Sequence, residues 1–234
     1  NVITQIFNDF PNIEIKQAVK DGHIVFHPYQ PEHINGSSVD VTLGEWFYRT
    51  DKKNSITTYN PFDKAEVERY FGTAQRAIQH QEWCAQTGAQ PFTNIPAEHP
   101  IIVLEPGERI LAHTQEFIGI LPPGTTSMQS RSTWGRNGVA VCFDAGWGDP
   151  GYINRWTMEI YNLNRSHAVV LPVGERIAQI VFMHTGDVDG SYDNLSGKYA
   201  SNTNLDELIK TWSPEQMLPR AWKDTRQAPQ VVTK

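Results

Sequence analysis

The stretch Arg155–Asn164, RWTMEIYNLN, decides how the chain is read. Trp156, Met158 and Ile160 alternate with Thr157, Glu159 and Tyr161, and successive side chains of an extended strand point to opposite faces. A strand with one apolar face needs partners, and the surrounding sequence offers them. From 100 to 185, short apolar runs are broken by Pro-Gly, Asn-Gly, Asp-Pro-Gly and Val-Gly turns, a spacing that predicts an all-β barrel or sandwich. Glu159 is the anomaly. On the face away from the core a carboxylate is ordinarily solvated and does nothing specific; a pocket over that face would give it chemistry.

Working outward, LEPGERILA (Leu104–Ala112) and LPVGERIAQ (Leu171–Gln179) share a Gly-Glu-Arg-Ile turn leading into a strand. The echo points to two related halves of a β fold, although such turn residues are common enough to coincide. Upstream, an amphipathic pattern from Ile13 to Val19, stopped by Asp21-Gly22, predicts a short helix. SSVDVTLGEWFYR reads as a strand pair or one bent strand, with Gly36 and Gly44 at its turns. Between about 51 and 99 the texture changes. DKAEVERYFGTAQRAIQHQEWCAQTG (Asp63–Gly88) predicts one long helix, with Val67, Tyr70, Phe71, Ala74, Ala77 and Ile78 near helical spacing. Past Gly186 the chain turns Gly/Ser/Asp/Asn-rich, then weakly helical at NLDELIKTW. It ends in a polar tail of the kind that orders on binding.

Bulk properties exclude several classes. The 234 residues carry a net charge of −6, which argues against coating nucleic acid or an anionic membrane but leaves room for a local basic site for a small phosphate ligand. No apolar run reaches the ~18 residues of a membrane helix. The opening NVITQIFNDF has no basic and apolar signal pattern, so no secretory signal is expected. The lack of an initiator Met points to numbering that begins after a trimmed segment. Cys84 and Cys142 form no C-x-x-C pair, and no H-x-E pattern supports zinc. A disulfide between them is unforced, and a reduced, cytoplasmic setting is expected.

Two further segments are dense in polar residues. In QSRSTWGRNG, Arg131, Ser132, Thr133 and Arg136 crowd one turn; two guanidinium groups and two hydroxyls suit an anion, although an exposed helical turn with scattered charge has the same composition. In DAGWGDPGYINR, a tight Gly/Pro loop presents Asp149 and Tyr152, and an aromatic ring beside a rigid loop packs on a sugar or base face. The plainer reading is an ordinary Asp-Pro-Gly turn. The loop runs directly into the strand bearing Glu159, so a ligand beneath the loop would also meet Thr157 and Glu159.

INGSSVDVTLG, SRSTWGRNGV, DPGYINRWTMEIYN, VGERIAQIVF and LSGKY, in this order, resemble the motifs of dCTP deaminases in the trimeric dUTPase-like superfamily. The resemblance covers roughly 13–50 and 100–200. It implies a single domain over 1–234, mainly β, a distorted jelly-roll or β-barrel of the dUTPase-like type. A few short helices, a helical insertion at about 51–99 and a flexible C-terminal segment at about 186–234 complete it.

It also implies hydrolytic deamination of dCTP to dUTP and ammonia, with Glu159 as general base and proton shuttle at cytosine C4, where dUTPases typically have an apolar residue. Ser132 and Arg136 would position the water and stabilise charge, and a nearby cation would keep Glu159 ionised. Arg131, Ser132 and Thr133 would hold triphosphate oxygens. Asp149 would bind the sugar 3′-hydroxyl, Tyr152 would pack on the deoxyribose, and Ala145 belongs to the same substrate-binding loop. Gln179 would sit near phosphate, and Tyr192, Lys198 and Tyr199 would close over the phosphates. Mg²⁺ would enter bound to the triphosphate, with no protein metal ligand and no zinc. Sites would be shared between subunits of a homotrimer, so a lone subunit should be inactive.

Asn154 stands where the family usually has Gly, Trp147 replaces a smaller or basic residue, and Asn202 occupies the place of a favoured Gln. These departures bear on base and nucleotide specificity. Two alternatives stay open: a bifunctional dCTP deaminase/dUTP diphosphatase or dUTPase-like hydrolase, since Asp149 suits both chemistries, and a nucleotide-binding regulator without turnover.

Overall fold

A computed structural model describes residues 9–50, 57–187, 189 and 204–224; Tyr192, Lys198, Tyr199 and Asn202 lie outside them. Helix α1 (Asn12–Lys20) buries Ile15 and Ala18 and ends at Asp21-Gly22, as the amphipathic pattern predicts. Then come β1 (Ile24–His27), β2 (Ile34–Asn35), β3 (Ser38–Thr42) and β4 (Trp46–Arg49). The predicted strand pair is thus β3 and β4, which join different sheets.

The long helix expected over Asp63–Gly88 is instead two short ones. Helix α2 (Lys64–Phe71) starts where the Asp63 carboxylate accepts from the Ala65 and Glu66 amides, and stops at Gly72. Gly72 has φ 65°, a left-handed conformation that costs a side-chain-bearing residue but not glycine. The apolar positions beyond it are extended. Strand β5 (Gln75–Arg76) pairs with β4, the Ala77 amide donates to the Glu45 carbonyl at 2.8 Å, and β6 (Ile78–Gln79) follows. Helix α3 (His80–Thr87) resumes for two turns. Sheet pairing overrode helical spacing here.

The remainder is mostly β: β7 (Pro100–Leu104), β8 (Arg109–Ile120), β9 (Gly124–Ser130), the short helix α4 (Ser132–Arg136), then β10 (Val139–Val141) and β11 (Trp147–Gly148). Strands β12 (Ile153–Asn162), β13 (Val169–Pro172) and β14 (Arg176–His184) precede α5 (Leu205–Thr211). One sheet runs β10-β12-β8-β4-β5 with β1 also on β8, a second runs β11-β9-β14-β3-β2, and a third runs β13-β7-β6. Val39, Val41, Ile180 and Phe182 from the second sheet meet Ile118, Ile120, Met158 and Ile160 from the first in the main core. The sheets face each other in a jelly-roll-like arrangement, and among the described residues they do not close into a barrel. No described helix is long and apolar enough to cross a membrane.

The sequence echo has a structural counterpart. Strands β7 and β13 pair antiparallel, Leu104 opposite Val169 and Ile102 opposite Leu171. Each then makes the same turn: Glu108 N–H donates to Glu105 O at 3.0 Å, and Glu175 N–H to Pro172 O at 3.3 Å, before β8 and β14 begin. Within 186–234, α5 and the 3-10 turns Pro214–Met217 and Ala221–Lys223 are folded, burying Leu208 and Met217.

A buried histidine makes the fold pH-sensitive. His113 of β8 is 1% exposed and lies against Gly44, where a Cβ would come within 2.0 Å of its ring. Trp46 N–H donates to His113 Nε2 at 3.2 Å, so Nδ1 carries the proton and donates to Thr114 O at 2.8 Å. The neutral ring is fully satisfied, and burial, with the Arg155 cation, pushes its pKa down to about 4, against a raising contribution from the Thr114 carbonyl. An unfolded histidine titrates near 6.5, so between these values the unfolded chain binds more protons. Stability from this group is complete above that range and lost as pH falls through it, by roughly 3 kcal/mol. Denaturant unfolding at pH 7 and 4.5 should show this loss in the native protein and a smaller one in His113→Gln.

Candidate active site

The site is built on the pairing of β12 with β8. Glu159 lies opposite Leu111, and Tyr161 opposite Arg109. All four therefore share one face, and Arg109 is the diagonal neighbour of Glu159, within reach of a long side chain. The other face of β12 is core: Trp156, Met158 and Ile160 are at most 3% exposed. The strand's alternation is as the sequence predicts, but its outer face is covered.

What covers it is a cavity of about 550 Å³. Its floor is Thr157 and Glu159 with Arg109 and Leu111. One wall is the loop before β12, through Ala145, Trp147, Asp149 and Tyr152. That loop is set by a turn in which Tyr152 N–H donates to Asp149 O at 2.9 Å, and the Tyr152 ring packs edge-on against Trp156 at 5.4 Å between centroids. The opposite wall is Tyr59, Pro61 and Phe71 from the predicted insertion, with Met217 and Pro219 from the C-terminal segment.

Glu159 is half-buried in this cavity, and its Oε2 has no hydrogen-bond partner among the described residues. Burial pushes its pKa above the ordinary carboxylate value and the Asp144 charge adds to this; the backbone, the Arg109 cation and the Cys142 thiol oppose it. Burial wins. The sequence reading expected Arg136 as the cation beside Glu159, but within one chain that cation is Arg109. Tyr161 O–H donates to Asp144 Oδ2 at 3.1 Å, ordering the rim next to Glu159. Cys142 is buried and Cys84 partly so; both are free thiols.

The predicted site residues divide into two groups. Glu159, Ala145, Asp149 and Tyr152 line the cavity. Arg131, Ser132, Thr133 and Arg136 do not; they sit on or beside α4 at the end of the second sheet, with Ser132, Thr133 and Arg136 exposed. Arg131 Nε pairs with the buried Asp40 at 3.2 Å, and Asp40 also receives Arg176 at 3.2 Å. Gln179 of β14 is the register partner of Asp40, so it belongs to this second group. Among the described residues, no group of three or more His, Cys, Asp or Glu is arranged to hold a metal ion.

Sequence reasoning missed Arg109, Leu111, Tyr59, Pro61, Phe71, Met217 and Pro219. Arg109 was visible only as part of the turn echo. Its place beside Glu159 depends on the β8/β12 register, which alternation within one strand does not specify. The insertion and C-terminal residues carry no local motif.

The fold is mainly β, two facing sheets with one carboxylate sunk in a cavity between a strand pair and a Pro-Gly loop. The crystal structure of 2′-deoxycytidine 5′-triphosphate deaminase from Agrobacterium tumefaciens shares this fold at TM-score 0.52 and 17% identity, over 76% of this chain. The match spans about half, 48%, of that longer chain. The chain belongs to the dCTP deaminase-like family, whose model matches residues 10–185. A relative from Methanopyrus kandleri is 30% identical over 192 residues, covering 80% of this chain and 87% of its own. One from Nanoarchaeum equitans is 29% identical over 187 residues, covering 80% and 89%. Both are named "dCTP deaminase, dUMP-forming", so the family is one of enzymes.

Proposed function

We propose that this protein deaminates dCTP hydrolytically, with Glu159 as the general base. The observation that carries the reading is the Glu159 carboxylate, recessed in the cavity beside Arg109 with one oxygen unpartnered among the described residues. Hydrolysis at cytosine C4 takes both protons from the attacking water in turn: one passes to ring N3 as the water adds, and the second passes to the departing amine as the C4 carbonyl forms and the C4–N bond breaks. One carboxylate shuttling protons within the cavity serves each of these transfers. Asp149 and Tyr152, on the same cavity wall, are suited to the sugar, the first by accepting from a hydroxyl and the second by packing.

Ser132 and Arg136 complete this chemistry only if a second copy presents α4 to the cavity. The exposed aromatics Phe143 and Trp147, 67% and 63% accessible, lie beside it and fit burial against a neighbour. A homotrimer with shared sites is therefore part of the proposal. Arg131, Thr133 and Gln179 would then meet the triphosphate from the neighbour's side, with Tyr192, Lys198 and Tyr199 closing over it. Mg²⁺ would arrive on the phosphates, shielding their charge, with phosphate oxygens and water as its donors. Two free thiols fit a reducing, cytoplasmic setting.

The sequence alone pointed to dUTP as product. The names of the relatives favour a second reading, in which the same site also hydrolyses the α–β phosphate bond. Water then enters twice, giving ammonia at the first step and pyrophosphate with dUMP at the second. Incubating purified protein with dCTP and Mg²⁺ and resolving products by ion-exchange chromatography tests both. Ammonia with dUMP and pyrophosphate is the expected outcome, and ammonia with dUTP would restore the simpler reaction. Nucleotide binding without ammonia would sink the deaminase reading and leave a regulator.

A further inference from the structure

Residues 205–219 lie beyond those the family model matches, yet they are folded against the strand pair that carries Glu159. Their side chains meet the strands in order. Leu208 packs with Phe117 and Ile153. The Trp212 ring lies 4.6 Å from the Arg155 guanidinium and 4.5 Å from the His113 ring. Met217 packs with Leu111, Tyr48, Val67 and Phe71. Phe117, His113 and Leu111 are the register partners on β8 of Arg155, Thr157 and Glu159 on β12. The segment therefore runs along the strand pair on the face that carries Glu159. It reaches the cavity at Met217 and Pro219, which line it.

Little but these contacts fixes the segment. Helix α5 spans 7 residues, too few to persist in water alone. A stretch with few buried apolar contacts opens locally at low cost, so the loss of one anchor is felt along all of it. Trp212 is the middle anchor. Arg155, half-buried, also lies over the Phe117 ring at 5.0 Å, so its guanidinium ties β8 to the Trp212 ring. A cation on an aromatic face holds best where water is partly excluded. We propose that Trp212 is a positioning residue for nucleotide binding: packed on Arg155 and His113, it pins residues 205–219 to the strand pair and so holds Met217 and Pro219 in place as a wall of the Glu159 cavity. The assignment rests on the deaminase reading for the nucleotide concerned. A nucleotide in the cavity meets this wall, so docking of the segment and binding of the nucleotide favour each other by the same factor.

Calorimetric titration of dCTP into full-length Trp212→Ala and its parent, both carrying Glu159→Gln to prevent turnover, tests this. The variant should bind about tenfold more weakly, with an unchanged number of sites per chain. Trp212→Phe, which keeps a ring over Arg155, should recover affinity to within about threefold of the parent. In otherwise native enzyme the loss should appear in KM, with kcat within about threefold. Trypsin reads the docking itself, since Lys210, Arg220 and Lys223 lie in or beside the segment. Trp212→Ala should be cut there faster than its parent, and saturating dCTP should slow the cutting in both. Affinity within about twofold of the parent overturns the proposal, whether or not cutting is faster. Fewer sites at unchanged affinity also overturn it, because the substitution would then have removed folded protein rather than displaced a wall. Should Trp212→Ala not fold, Trp212→Leu, which keeps apolar bulk without the ring, is held to the same outcomes. A parent that binds no dCTP removes the deaminase reading and this assignment together, whereas an unweakened variant of a binding parent removes the assignment alone.

Discussion

Glu159→Gln is expected to lower ammonia release from dCTP by about a thousandfold, the scale of losing a positioned general base. Nucleotide affinity should stay within a few-fold. Glutamine fills the same volume but neither takes a proton from water nor returns one to N3. The free variant should be at least as stable as the native protein, since a half-buried carboxylate with one oxygen unpartnered among the described residues is replaced by a neutral group. The native enzyme should show the matching pH dependence. Burial holds the Glu159 pKa above 4.5, and the base works only when ionised. The value of kcat/KM should therefore fall as pH drops through that raised pKa and level off above it. Near-native turnover in Glu159→Gln would remove the carboxylate from the mechanism and reassign this cavity.

The second large effect is rescue between two dead proteins. Arg136→Ala alone should lose most deaminase activity, as should Glu159→Gln. Mixing the two after dissociation and reassembly should restore about a quarter of native activity, because random assembly of a ring of identical interfaces leaves that share of sites with both residues intact. The prediction follows from the division of the site. Within one chain Glu159 faces a cavity that no residue of α4 lines, and Arg136 is exposed elsewhere. Activity from Arg136→Ala alone, or no rescue from an assembly that sedimentation shows to be mixed, would overturn the shared site.

In β12 the alternation of Trp156, Met158 and Ile160 with Glu159 needed only the period of an extended chain, and the burial follows it. Over Asp63–Gly88 the helical spacing misled: Gly72 stopped α2, and β4 drew Gln75 and Arg76 into a sheet. A propensity is a local bias of a fraction of a kcal/mol per residue, which a ladder of hydrogen bonds to a distant strand overrides. The Arg cluster at 131–136 was recognisable by composition, but its distance from Glu159 within one chain was not.

Residue order by itself determined the strand-rich class, the turns between strands, the echo around the two Gly-Glu-Arg-Ile turns and the family to which Glu159 belongs. All of these rest on interactions between near neighbours in the chain or on motifs read in order. Tertiary structure alone decided that the outer face of β12 lines a cavity, that Arg109 is the cation facing Glu159, and that Tyr59 and Met217 line that same cavity. Those facts depend on the register between β8 and β12 and on packing of segments more than a hundred residues apart. Such contacts form because burying the whole set lowers the free energy of the folded chain, and no single segment encodes them.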